Sequence, residues 1–126
     1  LVGHVLRRYA ERVVLITDAM AAAGSSDGSY QLGDLPVDVC CGVARIAGTD
    51  TIAGSTLTLD AALRFAIASG VSWLDAVRAL TVNPATYLGL SDVGSLQSGS
   101  FADAVALDGS WNVRAVLRRG EWVVAP

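Results

Sequence analysis

Asp18 is the residue whose type and position best fit catalytic chemistry in this chain. It ends the run Arg12-Val13-Val14-Leu15-Ile16-Thr17, and the small residues Ala19-Met20-Ala21-Ala22-Ala23-Gly24 follow it. An apolar run of this kind is typical of a buried parallel strand, and α/β barrels carry catalytic groups at the carboxyl ends of such strands. A carboxylate held there can act as a general acid or base, or bind a metal ion. The sequence also permits a structural role, in which Asp18 caps the following turn or helix.

Few other residues could assist Asp18. His4 is the only histidine and lies within a helical pattern, so we expect it on a helix surface and not among the three or four ligands of a metal centre. Ser55 has no histidine base available, which argues against a nucleophilic triad. The loop Ile52-Ala53-Gly54 precedes a helix, where free backbone N–H groups could bind an anionic ligand or simply begin the helix.

The composition excludes some classes of protein. A net charge of −3 argues against a nucleic-acid-binding surface, which would concentrate positive charge. Apolar residues make up 52% of the chain and charged residues 17%. We therefore expect part of the surface to be covered, either by self-association into a homo-oligomer or by another polypeptide segment. No stretch approaches the roughly 18 to 20 apolar residues of a membrane span. We therefore expect a cytoplasmic protein that does not bind membranes.

The adjacent cysteines Cys40 and Cys41 fall in a strand-like segment. Side chains of neighbouring strand residues point to opposite faces, and a disulfide between them would be strained. The sequence predicts two reduced thiols that fill a core.

The first half of the chain predicts a helix, a strand and a β excursion. Helical spacing covers residues 1–12, the apolar strand covers 13–17, and a small-residue loop runs to Ser29. From Tyr30 the apolar period changes to two, which predicts two or three antiparallel strands with Val37, Val39, Cys41 and Val43 on one face. Pro36 favours an edge strand or a strand start.

The second half predicts helices followed by strands. One helix begins near Leu59 and ends at Gly70, a second begins at Ser72 as its cap, and a short third begins with Asn83 as cap and Pro84 at its first helical position. The tail predicts a strand over 101–107 and a hairpin of 113–117 with 122–124. We interpret this order as a barrel edge beside a small β domain.

Several segments together resemble the C-terminal part of the N-acetylglucosamine-6-phosphate deacetylase family, within the amidohydrolase superfamily. They are Leu15-Ile16-Thr17-Asp18-Ala19-Met20, Ile52-Ala53-Gly54-Ser55-Thr56-Leu57-Thr58-Leu59, the stretch 79–90 with Asn83-Pro84-Ala85, and the glycines and Ala102-Asp103 of 94–103. The last motif is shared by many amidohydrolases, whereas the first two are more specific. The resemblance extends over essentially the whole chain.

The resemblance implies an α/β fold: a partial (β/α) barrel of the amidohydrolase type with a small β-sandwich subdomain. Residues 1–29 would form the last helix–strand unit of the barrel and its loop, and 30–54 a β hairpin excursion. Residues 55–92 would form helices that cover the barrel, and 93–126 strands of the β-sandwich.

The resemblance also implies a metal-dependent hydrolase that converts N-acetylglucosamine 6-phosphate to glucosamine 6-phosphate and acetate. Asp18 matches the family's proton-shuttling aspartate, and Ile52, Ala53 and Gly54 match its substrate-contacting loop. The zinc or similar divalent ion of such an enzyme would be held by residues upstream of this chain, so we expect none bound here and no activity from these residues alone. The alternatives are another amidohydrolase, dihydroorotase-like or adenine-deaminase-like, and a non-catalytic scaffold domain.

Overall fold

A computed structural model describes all 126 residues. The chain divides into two compact units, one made of residues 1–15 and 63–126 and the other of residues 16–62. Four helices and six strands follow one another along it, in the order α1 Val2–Arg8, β1 Gly28–Leu32, β2 Leu35–Cys40, β3 Val43–Ile46, α2 Leu59–Ala68, α3 Trp73–Leu80, α4 Val82–Tyr87, β4 Ala104–Leu107, β5 Val113–Arg118 and β6 Glu121–Val124. No helix has the length and apolar character needed to cross a bilayer.

The unit of residues 16–62 is built on an antiparallel sheet in the order β1-β2-β3. The predicted period of two is confirmed in β2, where Val37 and Val39 are buried while Asp38 and Cys40 are exposed. The buried face packs with Met20, Ala22, Ala44 and Ala53 into one apolar cluster. This cluster fixes the loop that follows Asp18 to the sheet.

Two predictions for the cysteines of this sheet are corrected, whereas the strand-start alternative for Pro36 is confirmed. Pro36 is the second residue of β2, the central strand, so it is near a strand start but not on an edge. Cys41 does not continue the buried face, because it lies in the turn after β2 with a φ of 54°. Both Cys40 and Cys41 are exposed and therefore do not fill a core. The turn reverses the chain at the point where the alternating pattern would have continued.

The prediction of a strand over residues 13–17 is wrong. None of these residues belongs to a ladder, and Ile16 is 76% exposed. Only Leu15 makes a backbone link to another element, through its N–H to the carbonyl of Ala79 at 2.9 Å. A strand requires a neighbouring backbone as well as an apolar sequence, and no other strand of this chain lies beside it. The helix before it also ends earlier than predicted, at Arg8.

The other unit holds the remaining helices and a second antiparallel sheet in the order β4-β5-β6. The predicted cap of α3 is confirmed: Ser72 Oγ accepts a hydrogen bond from the backbone N–H of Asp75 at 3.1 Å. The hairpin of β5 and β6 is also confirmed. The strand predicted over 101–107 begins only at Ala104. The helices pack through Leu6, Leu63, Ala66, Val71, Ala76 and Ala79.

Asn83 does not cap α4 as predicted. The helix begins at Val82, so Pro84 is its third residue and not its first as predicted. Asn83 is inside the helix with only 9% of its surface exposed. Its side-chain Nδ2 donates to the carbonyls of Ala10 and Val13, both at 2.7 Å. The amide therefore forms a tertiary link and not a cap. It satisfies two carbonyls that have no other partner in a helix or ladder.

Candidate active site

Asp18 is exposed and occupies an unusual backbone conformation. Its φ is 52°, in the left-handed region that residues with a Cβ rarely enter outside functional sites and turns. Its carboxylate accepts no hydrogen bond and joins no ion pair, so it does not cap the turn that follows. A carboxylate presented in this way remains available to a reacting molecule.

The backbone beside Asp18 is fixed by residues 53–55. Ala19 and Ser55 form a parallel bridge, in which the N–H of Ser55 donates to the carbonyl of Asp18 and the N–H of Met20 donates to the carbonyl of Ser55, both at 2.8 Å. Gly54 faces the same stretch, because a Cβ built on it would lie 3.4 Å from the carbonyl oxygen of Asp18. The two sequence-predicted site segments are therefore adjacent in the structure.

The segment Ile52-Ala53-Gly54 is held on its other side by β3. Ile52 bridges Arg45 in antiparallel fashion, and the N–H of Ala53 donates to the carbonyl of Ala44 at 3.0 Å. The expectation that Ala53 offers a free backbone N–H is therefore wrong, because bridge formation occupies it. Ala53 is 6% exposed, whereas Ile52 is 68% exposed. Of the three residues, Ile52 presents most surface to a ligand.

The residues around Asp18 do not form a metal centre by themselves. The one group of three or more His, Cys, Asp or Glu side chains with ligand atoms close together is Asp27 with Cys40 and Cys41, and Asp18 is not part of it. His4 is exposed on α1, as predicted for a surface residue. The ligand set within this chain therefore does not fit a metal ion at the Asp18 carboxylate.

The Asp27 group is the feature that sequence reasoning missed. Asp27 immediately precedes β1, and its carboxylate accepts hydrogen bonds from the backbone N–H groups of Cys41 and Gly42. The Cys41 thiol, which lies 3.6 Å from the Cys40 sulfur, raises the pKa of the Cys40 thiol. The sequence contained one signal for this turn, the dipeptide Cys41-Gly42. A glycine at this position is compatible with a tight turn as well as with a continued strand.

The chain belongs to the amidohydrolase family, which matches residues 32–123. Among curated relatives, it is 43% identical over 113 residues to the N-acetylgalactosamine-6-phosphate deacetylase of Escherichia coli O157:H7, covering 88% of this chain and 30% of that protein. It is 40% identical over 119 residues to the N-acetylglucosamine-6-phosphate deacetylase of Rattus norvegicus, covering 93% of this chain and 29% of that protein.

Two solved structures of N-acetylglucosamine-6-phosphate deacetylases have the same fold in the matched region. One is an aspartate-to-alanine mutant from Mycobacterium smegmatis in complex with N-acetyl-D-glucosamine-6-phosphate, with a TM-score of 0.89 and 51% identity over 98% of this chain and 34% of that one. The other, from Thermotoga maritima, has a TM-score of 0.88 and 37% identity over 99% of this chain and 35% of that one. The chain thus spans about a third of these proteins.

Proposed function

We propose that this chain is the C-terminal part of a hydrolase that deacetylates N-acetylglucosamine 6-phosphate to glucosamine 6-phosphate and acetate. The observation that supports this most directly is the pairing of Asp18 with Ser55, which places an unpaired carboxylate beside the segment 52–54. The names of the relatives provide the substrate class, an N-acetylated amino sugar that carries a 6-phosphate.

In the proposed reaction, Asp18 moves one proton. Its carboxylate accepts a proton from the water whose oxygen attacks the acetamide carbonyl carbon. The same proton is then donated to the amide nitrogen as the C–N bond breaks, so the products are acetate and the free amine of the sugar. A positioned carboxylate can serve in both steps because it is first a base and then an acid. Its exposure and lack of internal hydrogen bonds leave it free to do so.

Ile52, Ala53 and Gly54 would contact the sugar phosphate. Because the N–H of Ala53 already donates within the unit, this contact would come from the exposed side chain of Ile52 and from the backbone on either side of Ala53. The left-handed conformation of Gly54, with a φ of 70°, keeps that backbone close to Asp18.

The family resemblance implies a divalent metal ion, zinc or a similar one, which would polarise the carbonyl and activate the water. The residues around Asp18 in this chain do not fit such an ion on their own. We infer that the metal ligands come from the part of the relatives that this chain does not span.

The fold of the complete enzyme is part of the same proposal. Residues 1–29 would contribute the last helix–strand unit of a (β/α) barrel and its loop, with 30–54 as a β excursion. Residues 55–92 would cover the barrel and 93–126 would join a β-sandwich. The absence of ladder partners for residues 13–17 supports this reading, because barrel strands pair with neighbours from other repeats.

A second candidate substrate is N-acetylgalactosamine 6-phosphate. The Escherichia coli relative bears that name and is 43% identical to this chain, against 40% for the Rattus norvegicus relative. The two sugars differ in the orientation of one hydroxyl group, whereas the acetamide and phosphate are the same. The proposed role of Asp18 is unchanged by this choice.

The test is made on the natural protein that carries this chain, at the length its gene encodes. Acetate and free amine are measured with each of the two sugar phosphates. We expect turnover, and we expect Asp18→Asn to lower kcat by roughly 100- to 10,000-fold, the usual contribution of a general acid or base.

Asp34→Asn is the matched control, because Asp34 is an exposed aspartate in the turn between β1 and β2. It should leave kcat unchanged. The proposal is overturned if neither sugar phosphate is deacetylated, or if Asp18→Asn retains wild-type kcat. Turnover of the galactosamine compound at the higher kcat/KM would select the second candidate.

A further inference from the structure

The turn between β2 and β3 carries two exposed thiols. Cys40 ends β2, and Cys41 follows it in the turn with a φ of 54°. In a regular strand, neighbouring side chains point to opposite faces. The left-handed conformation of Cys41 removes this separation, and the two sulfur atoms lie 3.6 Å apart.

A carboxylate completes the cluster from a different part of the chain. Asp27 lies just before β1, and its two oxygens accept hydrogen bonds from the backbone N–H groups of Cys41 and Gly42, the latter at 3.1 Å. One carboxylate oxygen of Asp27 and the two sulfurs all lie within 4.8 Å of one another. The hydrogen bonds orient the carboxylate in the way that outer-shell partners orient metal ligands.

The separation of the two sulfur atoms matches that of thiolate ligands around one thiophilic cation, and a carboxylate oxygen of Asp27 lies within 4.8 Å of both. Two thiolates bound tetrahedrally to zinc at about 2.3 Å are roughly 3.8 Å apart, and a thiolate and a carboxylate oxygen are separated by roughly 3.6 Å. The observed sulfur separation of 3.6 Å is within a few tenths of an ångström of the first value. Only a small side-chain adjustment would be needed for both sulfurs to bind the same ion.

We propose that Asp27, Cys40 and Cys41 form a binding site for a thiophilic divalent cation such as Zn²⁺ or Cd²⁺. Thiolate ligands favour ions of this kind over Mg²⁺ or Ca²⁺, which take oxygen ligands. All three residues are exposed, so water or an external ligand occupies the fourth tetrahedral position. The site is independent of the role proposed for Asp18.

Cadmium is the probe for the test, because its thiolate complexes absorb in the ultraviolet. The natural protein that carries this chain, at the length its gene encodes, is reduced with a non-thiol reductant, and its free thiols are counted. The double variant Cys40→Ser/Cys41→Ser supplies the baseline for any other thiol or metal site. Cd²⁺ is then titrated at constant pH, while absorbance and sedimentation are followed. Relative to the baseline variant, we expect a thiolate charge-transfer band that saturates at one additional ion per chain without a change of oligomeric state, and displacement of previously bound Zn²⁺ by Cd²⁺.

Cys40→Ser and Cys41→Ser should each weaken binding by more than the roughly 10- to 100-fold that loss of an outer-shell partner costs. Asp27→Asn should weaken it to a lesser degree and leave the band. Asp34→Asn, at an exposed turn of the same sheet, is the matched control and should bind as the wild type does. Circular dichroism verifies that each variant is folded.

Three outcomes would overturn the proposal. One is the absence of a charge-transfer band although both thiols are free. Another is equal binding by wild type and either serine variant. The third is saturation at one ion per two chains with dimerisation, which would show that the thiols bind a metal between molecules and not within one.

Discussion

The carbonyl oxygen of Asp18 accepts a hydrogen bond of 2.8 Å from the backbone N–H of Ser55. This bond joins two segments separated by more than 30 residues and holds the backbone of Asp18 without engaging its carboxylate. Burial of Met20 and Ala53 in the apolar cluster below stabilises the same pairing. The exposed carboxylate of Asp18 is thereby placed on a backbone that the sheet β1-β2-β3 fixes.

Gly54→Ala should disturb this arrangement. A Cβ at position 54 would lie 3.3 Å from the Cβ of Met20 and 3.4 Å from the carbonyl oxygen of Asp18, and φ there is 70°. The left-handed conformation alone costs a residue with a Cβ about 1–2 kcal/mol. We expect the free energy of unfolding, measured with urea, to fall by at least this amount, because tight packing adds to the backbone strain.

Gly48→Ala separates the two contributions. Gly48 has a φ of 74°, and a Cβ there would meet nothing within 4 Å. It should therefore show the backbone cost alone. If both variants lose the same stability, the contact of residue 54 with Met20 and Asp18 contributes nothing.

The elements that the sequence predicted correctly are those specified by local patterns. Alternation identified the buried residues Val37 and Val39, and the hydroxyl and carboxylate of Ser72 and Asp75 identified the start of α3. Such signals act within a few residues, so one sequence is sufficient to detect them. The helix that begins at Leu59, α2, was identified in the same way.

What the sequence did not predict depends on contacts between distant residues. The run 13–17 has the composition of a strand but has no neighbouring strand to pair with. The resemblance implied roles for Asp18 and for 52–54, but not the hydrogen bonds that join them. The cluster of Asp27 with Cys40 and Cys41 required the positive φ of Cys41, which no periodicity reveals.

Asn83 should be a determinant of stability. Its buried Nδ2 donates to the carbonyls of Ala10 and Val13. Asn83→Ala removes both bonds, and a buried polar group left without a partner costs about 1–3 kcal/mol. We expect a loss in this range in urea unfolding.

Asn83→Asp provides a comparison of the same shape. It replaces the donor by an oxygen that faces two carbonyl oxygens, so it should destabilise the chain at least as much as Asn83→Ala at neutral pH. If Asn83→Asp is as stable as the wild type, the two hydrogen bonds do not exist in solution.

Asp108 should titrate at unusually low pH. The backbone N–H of Asn112 donates to its Oδ1 at 2.9 Å and is the main cause that lowers the pKa of the carboxyl below its ordinary value of 3.8. Burial opposes this shift, whereas the Asn112 side chain, the N–H of Ser110 and the charge of Arg114 lower the pKa further. Because the pKa is lower in the folded chain, the stabilisation is present above the unfolded-state pKa and is lost as pH falls through the folded one.

Carboxyl chemical shifts measured by NMR against pH check this directly. Arg114→Gln should raise the pKa of Asp108 only partway towards 3.8, because the arginine is the smallest of the stated causes. A full return to the ordinary value in this variant would show that the ion pair, at 3.0 Å between Arg114 Nη2 and Asp108 Oδ2, is the dominant cause instead of the backbone N–H groups.

The isolated 126-residue chain should self-associate. Large apolar side chains are exposed, among them Ile16, Phe65 and Leu96 at 76%, 60% and 77%. Burial of apolar surface is favourable by roughly 25 cal/mol per Å², and large exposed patches mark interaction surfaces. We expect the sedimentation coefficient to rise with concentration. A monomeric profile at high concentration would contradict this.

The backbone of Asp18 should limit which substitutions the chain accepts there. At a φ of 52°, Asn is tolerated almost as well as Asp, whereas a β-branched residue is strained. Asp18→Val should therefore lower the free energy of unfolding by about 1–2 kcal/mol, and Asp18→Asn should leave it nearly unchanged. Urea unfolding of the two variants measures the difference.

Asp50→Val is the matched control, because Asp50 is also exposed but has no positive φ. It should cost less than Asp18→Val, and equal losses would show that the conformation of residue 18 is not strained. The comparison also determines how the activity test is read. Since Asp18→Asn removes the charge but keeps the backbone, a fall in kcat in that variant would report the loss of the proposed proton transfer and not a misplaced loop.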